Sequence, residues 1–230
     1  MPRQLVLAVV LAAGLAAACG GGSDGPNAGD GAGGSGIATA TATLDPNNEK
    51  PASAATPAPG EVSVAQEPVQ VETVDGIVLK GRLYSPDGPK RQALIIVAAV
   101  EQTTWAKSVE AFTSAGIAVL TFDPRGFGET GGEEDPEALA ADVSLVTRFV
   151  MSREYPRVYV FGVGPEGSEA GVEAAATVET LFGLMTYGFA GEAKAPNHVA
   201  LGADATWDGE DVLADESLRD AVLQFVLGAN

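Results

Sequence analysis

From about residue 68 the chain alternates between short apolar runs and amphipathic stretches, and each change of period predicts an element. "VQVETVDGIVLKGRLYSP" holds two alternating runs joined at Asp75-Gly76, which predicts an antiparallel hairpin. "ALIIVAAV" (93–100) and "IAVLTF" (117–122) are continuous apolar runs of strand length, as expected of strands buried on both faces. Between them "TTWAKSVEAFTSAG" reads as a helix with a threonine N-cap, Trp105, Val109 and Phe112 as its apolar positions, and Gly116 at its end. Asp135 before Pro136 marks a second helix start, and Leu139, Val143, Val146 and Val150 then fall on one face. The strand "RVYVFGV" leads into a small-residue helix, "EGSEAGVEAAAT", followed by the strand "ETLFGLMTYG" and the apolar run "HVALGA". "DESLRDAVLQFVL" is a last amphipathic helix, with Leu218, Val222 and Phe225 or Val226 inward. A hairpin followed by alternating strands and helices predicts an α/β fold, a three-layer α/β/α sandwich with a mostly parallel sheet.

The first 67 residues have a different texture. "MPRQLVLAVVLAAGLAAAC" places Arg3 before an apolar run from Leu5 to Ala18, too short for a comfortable span and of the form of an export signal. The run ends at Cys19, the only cysteine, in a pattern that resembles a bacterial lipoprotein signal. Ala16-Ala17-Ala18 also fits a simple secretory cleavage site. Residues 19–67 are rich in Gly, Ser, Thr, Pro and Ala, the composition of a flexible tether. The expected organisation is a signal (1–18), a tether (19–67) and one domain (68–230), lipid-anchored through Cys19 to a membrane outside the cytoplasm.

Charge narrows the partners. Thirteen Lys and Arg face 31 Asp and Glu, a formal charge of −18, which disfavours nucleic acid and anionic membrane surfaces. A single cysteine forms no internal disulfide, and a single histidine leaves few zinc ligands. No cofactor or metal is expected.

The candidate chemistry lies in "RVYVFGVGPEG" (157–167), where Gly162, Gly164 and Gly167 spell G-x-G-x-x-G after a strand. Upstream, "FDPRGFGETGG" contains Asp123, Arg125, Gly126, Gly128 and Thr130, and resembles the D-x-R-G-x-G-x-S turn of the α/β-hydrolase family. The resemblance runs from about residue 69 to the C-terminus and implies that the strand after that turn delivers a nucleophile elbow, G-x-S-x-G. On that alignment Gly164 stands in the serine's place and Glu166 in that of the second glycine. "AAVEQTTW" stands where many members carry a His-Gly before the oxyanion donors, and Thr206 and Trp207 stand about where the catalytic histidine would fall. His198, the sole histidine, begins a strand, and Ser168 lies one helical turn past the elbow. Only 66 residues follow Gly164, so a segment of the family's C-terminal half is expected to be missing.

The resemblance therefore implies a hydrolase-like domain without a triad, acting as a ligand-binding or envelope scaffold module. Its pocket for a small apolar or acyl ligand would be lined by Ala99, Val100, Glu101, Val163, Gly164, Pro165 and Trp207, at the C-terminal ends of the strands. Three alternatives stand beside it. One is an active serine-type ester or acyl hydrolase with an unrecognised site. Another is a dinucleotide cradle at Gly162–Gly167 with Glu192 downstream, disfavoured by Glu166 and by the N–H that Pro165 lacks. The third is cation binding at "GGEEDPE" or "DATWDGED", which lack EF-hand spacing.

Overall fold

A computed structural model describes residues 63–228 apart from Glu192, Lys194 and Pro196. The signal segment, Cys19, most of the tether and Glu192 lie outside the described residues.

Seven strands form one sheet: β1 (Val64–Glu72), β2 (Val78–Pro86), β3 (Gln92–Val97), β4 (Ala118–Asp123), β5 (Arg157–Val163), β6 (Gly183–Tyr187) and β7 (His198–Leu201). Their order is β1-β2-β4-β3-β5-β6-β7; β1 and β2 pair antiparallel, as do β2 and β4, and every later pairing is parallel. Helices α1 (Ala106–Ser114), α2 (Pro136–Ser152), α3 (Gly164–Thr177) and α4 (Glu216–Gly228) cover the two faces. One core layer packs Leu139, Val143, Val146 and Val150 of α2 and Ala170 and Ala174 of α3 against Ile95, Leu120 and Val160. The opposite layer packs Trp105, Val109 and Phe112, with Val222 and Val226 of α4, against Leu94, Val119 and Phe161. This is the expected three-layer α/β/α sandwich, α/β-hydrolase-like in its run of elements.

The local signals hold in most places. Nine residue pairs join β1 to β2, closed by a turn in which Gly76 has φ +84°. Asp135 caps α2 by accepting from the Ala138 N–H at 3.1 Å, with Pro136 in the first turn. All four apolar positions predicted for α2 are buried.

Five expectations need correction. β1 begins at Val64, four residues inside the expected tether, because pairing with β2 extends the hairpin to Pro86. β3 stops at Val97, where its ladder with β5 ends at Gly162, and Ala99 and Val100 bend out of the strand. A 3-10 turn, Gln102–Trp105, precedes α1, so no threonine caps that helix. β6 starts at Gly183, not Glu179, since the tight turn Val178–Leu181 consumes the first residues of that run. Leu218 is only half-buried, and α4 turns Val222 and Val226 to the core.

Two features of the topology position the site. The chain leaves β3 for β4 on one side and leaves β5 for β6 on the other, so the β3–β5 boundary is the topological switch point, where open α/β sheets take their ligands. β6 and β7 are parallel neighbours joined by residues 188–197, and no helix occurs among the described residues of that connection. Parallel strands are ordinarily linked by a dozen residues or more, usually through a helix.

Candidate functional site

The elbow forms where it was expected. Val163 ends β5 in extended conformation (φ −121°, ψ 134°), and Gly164 turns to φ +72° as the first residue of α3. That left-handed turn costs a residue with a Cβ about 1–2 kcal/mol, which glycine escapes. The two flanking glycines serve close packing. A Cβ on Gly162 would stand 2.5 Å from the Gly167 carbonyl oxygen and 2.6 Å from Ser168 Cα, in the first turn of α3. A Cβ on Gly167 would stand 3.0 Å from Ala98 Cα, at the end of β3. The G-x-G-x-x-G pattern is thus accounted for by the approach of α3 to two strands, with no phosphate required.

At Gly164 the neighbour is a side chain. A Cβ there would lie 3.0 Å from Cζ3 and 3.3 Å from Cδ2 of Trp207, and closer still to Cε3. The indole covers the ground into which a nucleophile's side chain would project. Its Nε1–H donates to the Glu210 carbonyl at 2.8 Å. The loop that carries it, Gly202–Asp211, straps the top of the sheet. The Gly188 N–H donates to the Gly202 carbonyl at 3.2 Å, and Ser108 Oγ donates to Asp211 Oδ2 at 2.6 Å.

The other candidates for catalysis are placed elsewhere. Ser168 Oγ is fully buried and donates to the Gly162 carbonyl at 2.9 Å and the Tyr187 carbonyl at 3.2 Å, which ties α3 to β5 and β6. His198 pairs in register with Leu184, which in turn pairs with Val160, so it lies three residues below the level of Val163. That offset is about 10 Å along the strand. Its Nε2 lies 3.0 Å from Thr186 Oγ1, and burial holds the imidazole below its ordinary pKa. The residue after the elbow, whose N–H serves as an oxyanion donor in this kind of turn, is Pro165, which has none.

Of the seven residues expected to line a pocket, Ala99, Val100 and Glu101 follow β3, Val163 ends β5, Gly164 and Pro165 open α3, and Trp207 comes from the strap to lie against Gly164. A Cβ on Gly209 of the strap would stand 3.8 Å from Val100 Cγ1, so the strap passes over the β3 loop as well. Ala99 also borders a crevice of about 80 Å3 on the α2 side, with Pro124, Phe127, Pro136, Leu139 and Glu166.

The "DPRGFGETGG" turn is held by charge. Asp123, 1% exposed, accepts the Gln102 N–H at 2.6 Å, Gln102 Nε2 at 2.9 Å and the Glu129 N–H at 3.0 Å. Arg125 Nε donates to Asp142 Oδ2 at 2.7 Å, Nη2 donates to Asp142 Oδ1 at 2.9 Å and to Asp75 Oδ1 at 2.9 Å, and Nη1 pairs with Asp75 Oδ2. Hydrogen bonding from Arg125, then from Thr73, draws the Asp75 carboxyl down to about 2. The pairing with Asp142 and Asp75 raises the guanidinium above its ordinary value. Sequence reasoning located this turn but not its partners, because Asp75 and Asp142 are fifty and seventeen positions away. Among the described residues no three His, Cys, Asp or Glu side chains converge as metal ligands.

No protein-family model matches the chain. Thiohydrolase aneE of Aspergillus aculeatus is 36% identical over 111 residues, 44% of this chain and 35% of that protein. Polyketide transferase claH of Penicillium crustosum is 33% identical over 73 residues, 29% of this chain and 24% of that protein. The chain thus spans about a third or less of the length of these curated relatives. A carboxyl esterase from Bacillus coagulans, solved with glycerol, is 22% identical with a TM-score of 0.47, covering 56% of this chain and 46% of that one.

Proposed function

We propose that this domain is a hydrolase-like module without hydrolytic chemistry, which binds a small apolar or acyl ligand or serves as a scaffold. In the same reading the chain is exported and anchored to the membrane through a lipid on Cys19. One observation carries the loss of chemistry: the place of a nucleophile's side chain at Gly164 is taken by the Trp207 indole. Triad chemistry needs a nucleophile, a base and an oxyanion donor within reach of one reacting atom. Gly164, the distant His198 and Pro165 supply none of them.

The test is turnover of short- and medium-chain p-nitrophenyl esters and of an acyl thioester by the full chain. The expected rate equals that of buffer. Turnover that Ser168→Ala or His198→Gln abolishes would overturn the reading. The names of the relatives, a thiohydrolase and a polyketide transferase, favour a second reading in which the domain handles acyl thioesters. Thioester cleavage without ester cleavage would favour it. Intact mass of the mature chain tests the anchor, since lipid adds its own mass to a chain beginning at Cys19.

A further inference from the structure

The strap Gly202–Asp211 is tied by hydrogen bonds at both ends, and between them it is held by Trp207, which packs against the apolar layer of α1 and α4. At one end the Gly202 carbonyl accepts from the N–H groups of Gly188 and Ala205, at 3.2 and 2.8 Å. At the other, Asp211 takes the Ser108 hydroxyl at 2.6 Å and the Leu213 N–H at 3.0 Å. Among the described residues, the backbone of 206–210 makes no hydrogen bond beyond the strap. Gly202 and Gly209 have φ of +55° and +92°, so residues free to turn stand near both ends. Asp204, Thr206, Asp208 and Glu210 are exposed, and Trp207 is the side chain placed on the elbow. A ring is therefore held over a residue without a side chain, at the switch point of the sheet, by its own packing and by a segment whose backbone at 206–210 makes no hydrogen bond beyond the strap among the described residues.

We infer that the strap is a lid and that Trp207 is the built-in occupant of a ligand site. A flat apolar molecule about the size of an indole binds against Gly164, between the loops after β3 and β5, when the strap swings out on Gly202 and Gly209. The rim fixes the ligand's charge. Glu101, Asp204, Asp208 and Glu210 are exposed carboxylates on the segments that border the site, against Lys107 in the first turn of α1. A ligand with its own carboxylate is repelled, and a neutral or cationic one is not. The ligand class is thus an aromatic amine or a neutral aromatic, not a free carboxylic acid. The inference shares its site with the non-catalytic reading but concerns binding alone, so ester turnover would sink that reading and leave this one standing.

The test uses tryptamine, indole and indole-3-acetate as probes of the full chain. Trp207→Ala, which vacates the site, is expected to bind tryptamine and indole one-to-one by calorimetry and to melt at a higher temperature with either. Indole-3-acetate should bind it at least about threefold more weakly than tryptamine, as expected for an acidic rim at low salt. In the unmodified chain saturating tryptamine should speed hydrogen exchange in peptides spanning 203–210 and slow it in those spanning 163–168. Ser108→Ala frees the strap's far anchor with the indole in place, and should bind tryptamine more tightly than the unmodified chain; it also covers a Trp207→Ala chain that fails to fold. A folded Trp207→Ala that binds none of the probes overturns the site. Equal binding of tryptamine and indole-3-acetate overturns the ligand class. Unchanged exchange at 203–210, or unchanged affinity in Ser108→Ala, overturns the lid.

Discussion

Returning a serine to the elbow should destabilise the domain without restoring hydrolysis. Two costs combine in Gly164→Ser. A residue with a Cβ at φ +72° gives up about 1–2 kcal/mol relative to glycine. The new Cβ would also stand 3.0 Å from Trp207 Cζ3, so the ring or the elbow must shift. Forcing extra atoms into packed surroundings costs about 1–3 kcal/mol. The sum is roughly 2–5 kcal/mol. With Trp207→Ala already in place only the first cost remains, so the coupling between the two positions should be about 1–3 kcal/mol. Urea unfolding followed by far-UV circular dichroism measures it, through the midpoint at constant slope. Equal destabilisation by Gly164→Ser in both backgrounds would refute the argument, because the indole would then not oppose a side chain at 164. Ester turnover should stay at background in Gly164→Ser, since Pro165 and the position of His198 are unchanged.

Four further outcomes follow from the charged groups of the turn and from the histidine. Asp123→Ala leaves three N–H donors without their acceptor and should cost about 3–5 kcal/mol, read as a lowered urea midpoint. Arg125→Ala strands Asp142, 1% exposed, and should cost about 3–5 kcal/mol, with Arg125→Lys recovering part of it. The Asp75 carboxyl is drawn from 3.8 to about 2 in the fold, so its contribution is complete above 3.8 and is lost as pH falls towards 2; Asp75→Asn should flatten acid unfolding across that window. His198 is held below its ordinary 6.5, so the unfolded chain takes up protons first and stability falls as pH drops below 6.5; His198→Gln should remove that slope.

How much was legible depended on whether the signal was local. The hairpin, α2 with its Asp135 cap and the buried run of β5 are written in consecutive residues, and each formed. Element ends were less legible, because neighbours decide them: β3 stops at Val97 where its partner strands stop pairing. The departures from an elbow at Gly164 and Glu166 could be seen directly. The role of Trp207 could not, since it stands 43 positions after Gly164 and only the strap's path brings them together. The missing histidine in that loop was the available signal, and it marks what is absent, not what replaces it. The partners of Arg125 were hidden for the same reason, as Asp75 belongs to the hairpin turn and Asp142 to α2.

The sharp turn at Gly164 has a physical cause. β5 must hand the chain to α3 across one residue, and Gly167 must reach the end of β3 to seat that helix, so the sharp turn at 164 is required by packing alone. At that turn Gly164 and Trp207 fit each other, because only a residue without a Cβ leaves room for the indole, and the indole closes the space that glycine opens. A serine at 164 would meet the ring. The pair is a packed contact, and the hydrogen-exchange and Ser108→Ala measurements above decide whether a ligand opens it.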